Sequence, residues 1–230
     1  MKILISAGHT NVPGKDRGAA GNGFIEGDEA VKIRDQVASI LRGRGLEVIE
    51  DGADGVNDPL TKAIALAKTA DEAVEFHFNA GPAPASGVEV LSKPKDRKLG
   101  QKIAKAISAC LSIPARGDQG WKAANSGQHP RLGFCEAGGL IVEVAFISSK
   151  SDMDSYHANF DKMCLAIADA ISPAQEPAIE TPTTHEFHTV VTGDTLWGIA
   201  SKYGLSVAGL KKLNGLTNDR IDKDQKLRVR

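Results

Sequence analysis

A chain of 230 residues, 41% hydrophobic and 25% charged, is long enough for one mid-sized domain with its own core plus a small second one. Its 28 Lys and Arg are interleaved with 29 Asp and Glu, for a formal net charge of -1. No field of one sign is available to grip nucleic acid or an anionic bilayer, which argues against both as partners.

The N-terminal apolar run Ile3-Leu4-Ile5 ends at Gly8-His9. An export signal needs a core of roughly 7–15 apolar residues and a spanning helix about 20. Neither length is reached anywhere, so synthesis in the cytosol without an export signal, and no membrane insertion, are expected. Cys110, Cys135 and Cys164 are too scattered for a disulfide framework or a zinc knuckle. They are expected as small apolar residues in a reduced compartment.

In chain order, KILISA at 2–7 reads as a buried strand, followed by a glycine-rich loop over 14–23. Helical periodicity starts near Gly27, with Ala30, Val31, Ile33, Val37, Ile40 and Leu41 on one face, and Gly43 and Gly45 stop it. LEVIE at 46–50 resumes strand character. Asp58-Pro59 predicts a helix start, with Asp58 as carboxylate N-cap and the helix running to Ala70. Val74, Phe76 and Phe78 alternate with Glu75, His77 and Asn79 as in a strand. A strand at 87–92, a helix over 96–111, a strand at 139–148 and a closing helix over 155–171 complete the pattern. This alternation predicts an α/β fold, a mostly parallel twisted sheet with helices on both faces, whose chemistry gathers at the carboxyl ends of the strands.

Residues 1–171 thus form the main domain, and SPAQEPAIETPTTHE at 172–186 reads as a semi-extended linker. Residues 187–230 read strand, helix, helix, strand, a βααβ mini-domain.

Three polar residues sit where an ordinary core would not want them. His9 follows the first strand, His77 lies between Phe76 and Phe78, and Glu143 interrupts the apolar run at 140–146. An unpaired carboxylate in apolar surroundings costs on the order of several kcal/mol, so it persists only with a partner or a purpose. Two imidazoles plus a carboxylate are the ligand set of a catalytic zinc with an open fourth position. Glu26, Asp28 and Glu29 at the head of the first helix compete for the carboxylate ligand, and spacing does not choose among them.

ISAGHT at 5–10, GNGFIEGDEAV at 21–31, EFHFNA at 75–80 and LIVEVAFISS at 140–149 stand in one order. Together they resemble the zinc N-acetylmuramoyl-L-alanine amidases of the Amidase_3 type. That family reads DxGHG, then a glutamate leading a helix, then SIHxNA, then LVEVGFLSN. The resemblance covers about residues 2–171. It implies that His9, Glu26 and His77 ligate one Zn2+ ion and that Glu143 is the catalytic glutamate. It also implies the bond cut, the amide between N-acetylmuramic acid and L-alanine in peptidoglycan. Thr10 and Ala145 replace usual glycines, and Glu75 stands where a serine is common, altering the polarity beside His77. Arg116-Gly117 resembles the family's RG turn, with no chemical role given to it.

Residues 187–230 resemble a LysM module, with Val190, Leu196, Ile199, Ala200, Tyr203, Leu210, Leu213, Ile221 and Leu227 on its core positions. Phe187-His188 and Asp224 depart from the pattern. The resemblance implies glycan binding by Gly193, Asp194, Thr195 and Leu196 and by the loop over 214–221, with Asn218 and Ile221. Asp194 is equally expected to cap the following helix.

The expectation is a monomeric amidase held on bacterial peptidoglycan, a phage endolysin released to the wall through a separate pore. The alternatives are a zinc carboxypeptidase or endopeptidase on the stem peptide, or a non-catalytic wall-binding protein. His129, Glu136 and His157 are expected in surface or structural roles, and His185 and His188 as solvated.

Overall fold

A computed structural model describes residues 1–52, 55–126, 132–173 and 186–229. The chain divides into two compact units, Met1–Ala174 and Gln175–Arg230. His129, His185 and most of the expected linker lie outside the described residues.

In the larger unit β1 (Lys2–Ala7) leads to a small hairpin, β2 (Ala20–Gly21) and β3 (Phe24–Ile25), and then to α1 (Glu26–Gly43). β4 (Glu47–Glu50), α2 (Leu60–Ala67), β5 (Glu72–Asn79), β6 (Glu89–Ser92) and α3 (Arg97–Leu111) follow. β7 (Trp121–Ala123), α4 (Gly133–Glu136), β8 (Leu140–Phe146), α5 (Lys150–Ala158) and α6 (Phe160–Ile171) complete the unit. The sheet order is β4-β1-β5-β8-β6-β7. Only the β6–β8 pairing is antiparallel, so the sheet is mostly parallel as expected.

The period of two along each strand sorts side chains between two cores. Ile3, Ile5, Val74, Phe76, Phe78, Val142 and Val144 face one side and pack with Ile33, Ile103, Ile107 and Ile167 of α1, α3 and α6. Each such fully buried side chain contributes roughly 1.5–3 kcal/mol. Leu4, Ala73 and Ile141 face the other side, under Ala63 and Ala67 of α2 and Phe134 and Cys135 of α4. Further along the same strands that second face turns polar, through Ser6, Glu75, His77, Glu143 and Glu89. Cys135 and Cys164 are free and buried, and burial pushes both thiols up to about 12, as suits inert apolar residues.

Two expected boundaries change. Pro59, in an extended conformation, is the residue that precedes α2, and the helix stops at Ala67. Asp58 therefore lies one residue too early to cap it and instead pairs with Lys62 at 2.5 Å. The closing helix is two helices. Ser149 starts α5 by accepting the Asp152 N–H, and Asn159, off helical geometry with φ -122° and ψ 17°, separates α5 from α6.

The smaller unit pairs β9 (Phe187–Thr189) antiparallel with β10 (Lys226–Arg228), around α7 (Leu196–Lys202) and α8 (Val207–Asn214). Val190, Leu196, Ile199, Ala200, Leu210, Leu227 and Val229 form its core. Leu213 is only half-buried, and Val229 takes a core place that the sequence pattern left unassigned. Among the described residues, no helix is long and apolar enough to cross a membrane.

Candidate metal centre and carbohydrate-binding loops

The chain turns sharply as it leaves β1. His9 has φ 61°, the left-handed region that a side chain other than glycine seldom enters. The Asn57 amide holds the turn by donating to the carbonyls of Ala7 and His9. Arg34, fully buried, donates in turn to the Asp51 carbonyl and to Asn57 Oδ1. His77 reaches the same place from β5, and Glu26 from the first residue of α1.

The ligating atoms of His9, Glu26 and His77 lie within 4.8 Å of one another. Glu26 Oε1 is 3.0 Å from His77 Nδ1 and 3.4 Å from His9 Nε2. Backbone donors fix the carboxylate, with Phe78 N–H on Oε1 at 3.1 Å and Ala19 N–H on Oε2 at 2.8 Å. Glycine frames the cluster. A Cβ at Gly8 would overlap the His77 ring, and one at Gly18 would overlap both the Glu26 carboxylate and the His9 ring. Two imidazoles and one acid in a cradle that one methyl group would fill suit a zinc ion.

The three acids of the first helical turn separate cleanly. Asp28 turns outward to Arg17 at 2.5 Å. Glu29 is buried against Lys32 at 2.7 Å and the Tyr156 hydroxyl at 3.2 Å. Only Glu26 joins the histidines: Asp28, two residues on, is rotated roughly 160° from it, and Glu29, three residues on and only about 60° away, is held by Tyr156 and Lys32 instead.

Glu143 is placed opposite His77 on β5 and opposite Glu89 on β6. Its Oε2 is shut off from solvent and has no hydrogen-bond partner among the described residues. Burial pushes this carboxyl up to about 7; the His77 charge pulls it down, while Glu26, Glu89 and Glu75 add to the rise. Glu89 itself is tied down by Arg116 at 2.8 Å, Lys122 at 2.6 Å and Asn79 at 3.0 Å. That gives Arg116 a visible partner, and its guanidinium also lies 4.8 Å over the Phe146 ring.

Burial opposes charge on both Glu26 and His77, but their mutual pairing prevails. Glu26 is held below the usual carboxylate range by His77, the Ala19 N–H and His9. His77 is carried well above its usual value by hydrogen bonds to Glu26 and Glu75 and by the charges of Glu75 and Glu143. A cleft of about 530 Å³ opens onto His9 and His77, walled by Val12, Asn57, Leu60 and Ala63.

Glu75 was not singled out by spacing as part of the site, yet it is 3% exposed and 3.1 Å from His77 Nε2. Its i, i+2 spacing from His77 on one strand face is the signal that could have found it. His157 packs edge-on to Tyr156 and against Phe24, and Glu136 is an exposed surface residue paired with Lys93 at 3.2 Å.

In the smaller unit two expectations are corrected. The residue that caps α7 is Thr195, whose hydroxyl accepts the Gly198 N–H, not Asp194. Asp194 accepts instead from the Val191 N–H at 2.9 Å and pairs with His188 Nε2 at 2.7 Å. His188 is consequently not solvated; its side chain is 12% exposed and also meets the Tyr203 hydroxyl at 3.2 Å. The Leu196 side chain is buried in the core, leaving only its backbone to the loop it shares with Gly193. Asn218 stays on the surface, accepting the Arg220 N–H, while Ile221 packs against the core. Asp224, where the LysM pattern has glycine, adopts φ 66°, the conformation that glycine serves.

A family model described as N-acetylmuramoyl-L-alanine amidase matches residues 3–173. The chain belongs to the Amidase_3 family. A second model, the LysM domain, matches 188–230. Among solved structures, this amidase-family chain is 40% identical to a Neisseria meningitidis protein assigned to the N-acetylmuramoyl-L-alanine amidases, with a TM-score of 0.69, covering 74% of this chain and 93% of that one. Cwp6 from Clostridium difficile is 25% identical with a TM-score of 0.62, covering 75% of this chain and 29% of that one. The catalytic domain of the CD27L endolysin, 20% identical with a TM-score of 0.57 over 74% of this chain and 96% of that one, shares the fold.

Curated relatives match over shorter stretches. N-acetylmuramoyl-L-alanine amidase sle1 of Staphylococcus epidermidis is 43% identical over 60 residues, 26% of this chain and 18% of that protein. The p60 protein of Listeria grayi, named as an endopeptidase, is 51% identical over 55 residues, 23% of this chain and 11% of that protein. The chain thus spans less than a fifth of the length of these relatives. Because an amidase and an endopeptidase match over stretches of similar length, those matches do not select a reaction.

Proposed function

We propose that this chain is a zinc-dependent N-acetylmuramoyl-L-alanine amidase that hydrolyses the amide between N-acetylmuramic acid and L-alanine in peptidoglycan. The observation that carries this reading is the convergence of His9, Glu26 and His77 beside a Glu143 oxygen with no hydrogen-bond partner among the described residues, in a domain of the amidase family. His9 would hold the ion through Nε2, Glu26 through Oε1 and His77 through Nδ1. Zinc, when bound, supplies a Lewis acid that polarises the scissile carbonyl and acidifies water.

The protein's own groups handle the proton. Glu143, poised near neutrality at the middle of β8, takes a proton from the attacking water and delivers it to the departing amide nitrogen. The C–N bond breaks, leaving a lactoyl carboxylate on the sugar and a free α-amine on L-alanine. The backbone donors on Glu26 fix its carboxylate and would keep that acid as a ligand and out of the proton transfer. Mass spectrometry of digested wall fragments tests the bond assignment. Intact stem peptides beginning with a free L-alanine amine are expected; cuts within the peptide would make the enzyme a zinc peptidase instead.

The LysM module is the wall anchor in this reading, gripping N-acetylglucosamine-containing glycan with the 193–196 and 214–221 loops. Tethering raises the local enzyme concentration on an insoluble substrate without altering the chemistry. Deleting 187–230 is expected to reduce adsorption to wall sediment by roughly tenfold or more, with turnover of small soluble fragments unchanged. Equal adsorption by the shortened protein would remove the anchor role.

The setting proposed is that of a phage endolysin, acting as a monomer after a separate pore opens. Turbidity should then collapse on co-expression with a pore-forming protein and hold without one.

A further inference from the structure

The side chain at position 75 is a departure from the family pattern, and the structure gives it a task. The atoms that converge on the candidate ion are His9 Nε2, Glu26 Oε1 and His77 Nδ1. If Nδ1 of His77 faces the ion, its hydrogen must sit on Nε2, and Nε2 is 3.1 Å from Glu75 Oε1. Glu75 is itself held. Its Oε2 is 3.0 Å from the Ser6 hydroxyl, which is 2.7 Å from Asp51 Oδ2. Asp51 Oδ1 accepts the Ala7 N–H at 3.2 Å, and Ser6, Asp51 and Glu75 are all buried.

Ser6 and Glu75 are direct partners in the β1–β5 register. In the family pattern quoted above, an aspartate stands at the place of Ser6 and a serine at the place of Glu75. This chain likewise has one acid and one hydroxyl side by side, but each on the other strand. That placement puts the acid two residues from His77 on the same strand face, within reach of its ring.

We propose that Glu75 is a positioning residue for the metal centre, braced through Ser6 and Asp51, that accepts the Nε2–H of His77 and so holds the ring with Nδ1 toward the ion. An imidazole ligand whose other nitrogen donates to a carboxylate is fixed in tautomer and orientation and is a stronger ligand. The inference rests on the metal reading given above.

Two variants of similar volume separate positioning from space-filling. In Glu75→Gln, the amide oxygen still accepts from His77 Nε2 and the amide NH2 donates to Ser6. Glu75→Met fills the same space and accepts nothing. Zinc affinity, measured by chelator competition on the full chain, is expected to stay within roughly threefold of the parent for Glu75→Gln. It is expected to fall roughly 10–100-fold for Glu75→Met. A second readout is long-range 15N correlation of the histidine rings in the zinc-loaded protein. It should show His77 as a single Nε2–H tautomer in the parent and in Glu75→Gln, and lose that signature in Glu75→Met. Zinc binding and ring spectra of Glu75→Met equal to those of the parent would overturn the positioning role while leaving the metal reading intact. A parent chain that binds no zinc would overturn the metal reading itself.

Discussion

Replacing Glu143 with glutamine is expected to cut kcat/KM by roughly 10²–10⁴-fold while making the metal-free protein more stable above neutral pH. In the function proposed above, the first effect follows from losing the group that would carry the proton between water and the departing amine. The second follows from where the carboxyl sits. Burial, with Glu26, Glu89 and Glu75 nearby, lifts it from 4.5 to about 7 in spite of His77. The folded protein therefore binds this proton more tightly than the unfolded chain does. Below pH 4.5 both states are protonated and the group costs nothing; the cost grows as pH rises and is complete above about 7. A rise of that size is worth roughly 3 kcal/mol, or on the order of 10 °C in Tm for a domain of this length. Chelator-treated Glu143→Gln should thus melt well above the parent at pH 8 and beside it near pH 4. Equal melting at both pH values would show that this carboxyl is not strained, and near-parental hydrolysis would remove it from the chemistry.

His77→Ala and Glu26→Ala are each expected to lose the metal, from about one ion per chain to under roughly a tenth by atomic absorption, since three protein ligands are the minimum such a site keeps. A ligand present at about 1,000 times its Kd stabilises the folded state by about 4 kcal/mol, so the zinc-dependent rise in Tm, on the order of 10 °C, should vanish with it. Asp28→Ala is the control. Asp28 sits on the same turn but points to Arg17, so its removal should leave zinc content and activity in place. Metal retained in Glu26→Ala, or lost in Asp28→Ala, would reassign the carboxylate ligand. Metal uptake should also weaken as pH falls, because a proton on His77 Nδ1, the nitrogen that faces Glu26, has to leave first, while the Nε2–H toward Glu75 stays.

Much of this protein was legible without coordinates because its signals are local. The alternation of strand and helix periods up to Ile171, the proline-rich break after it and the short βααβ pattern beyond follow from side-chain order alone. His9, His77 and Glu143 stood out for the same reason, each a polar group inside or directly after an apolar run. Helix ends were less legible. Whether Asp58 or Pro59 precedes α2, and whether Asp194 or Thr195 caps α7, turns on one residue of backbone conformation that composition does not encode.

The sequence by itself determined the fold class, the division into an amidase-type domain and a LysM module, and the candidates for holding a cation and moving a proton. Spacing left open which acid of the first turn meets the histidines, and the family resemblance pointed to Glu26; the packing of α1 against the sheet supplies the physical reason, because it sets the rotation that brings Glu26 to the histidines, turns Asp28 to Arg17 and places Glu29 against Tyr156. Tertiary structure alone joined Glu75, Ser6 and Asp51 behind His77. That contact depends on the β1–β5 register and on the loop after β4, pairings between residues 44 to 69 positions apart along the chain.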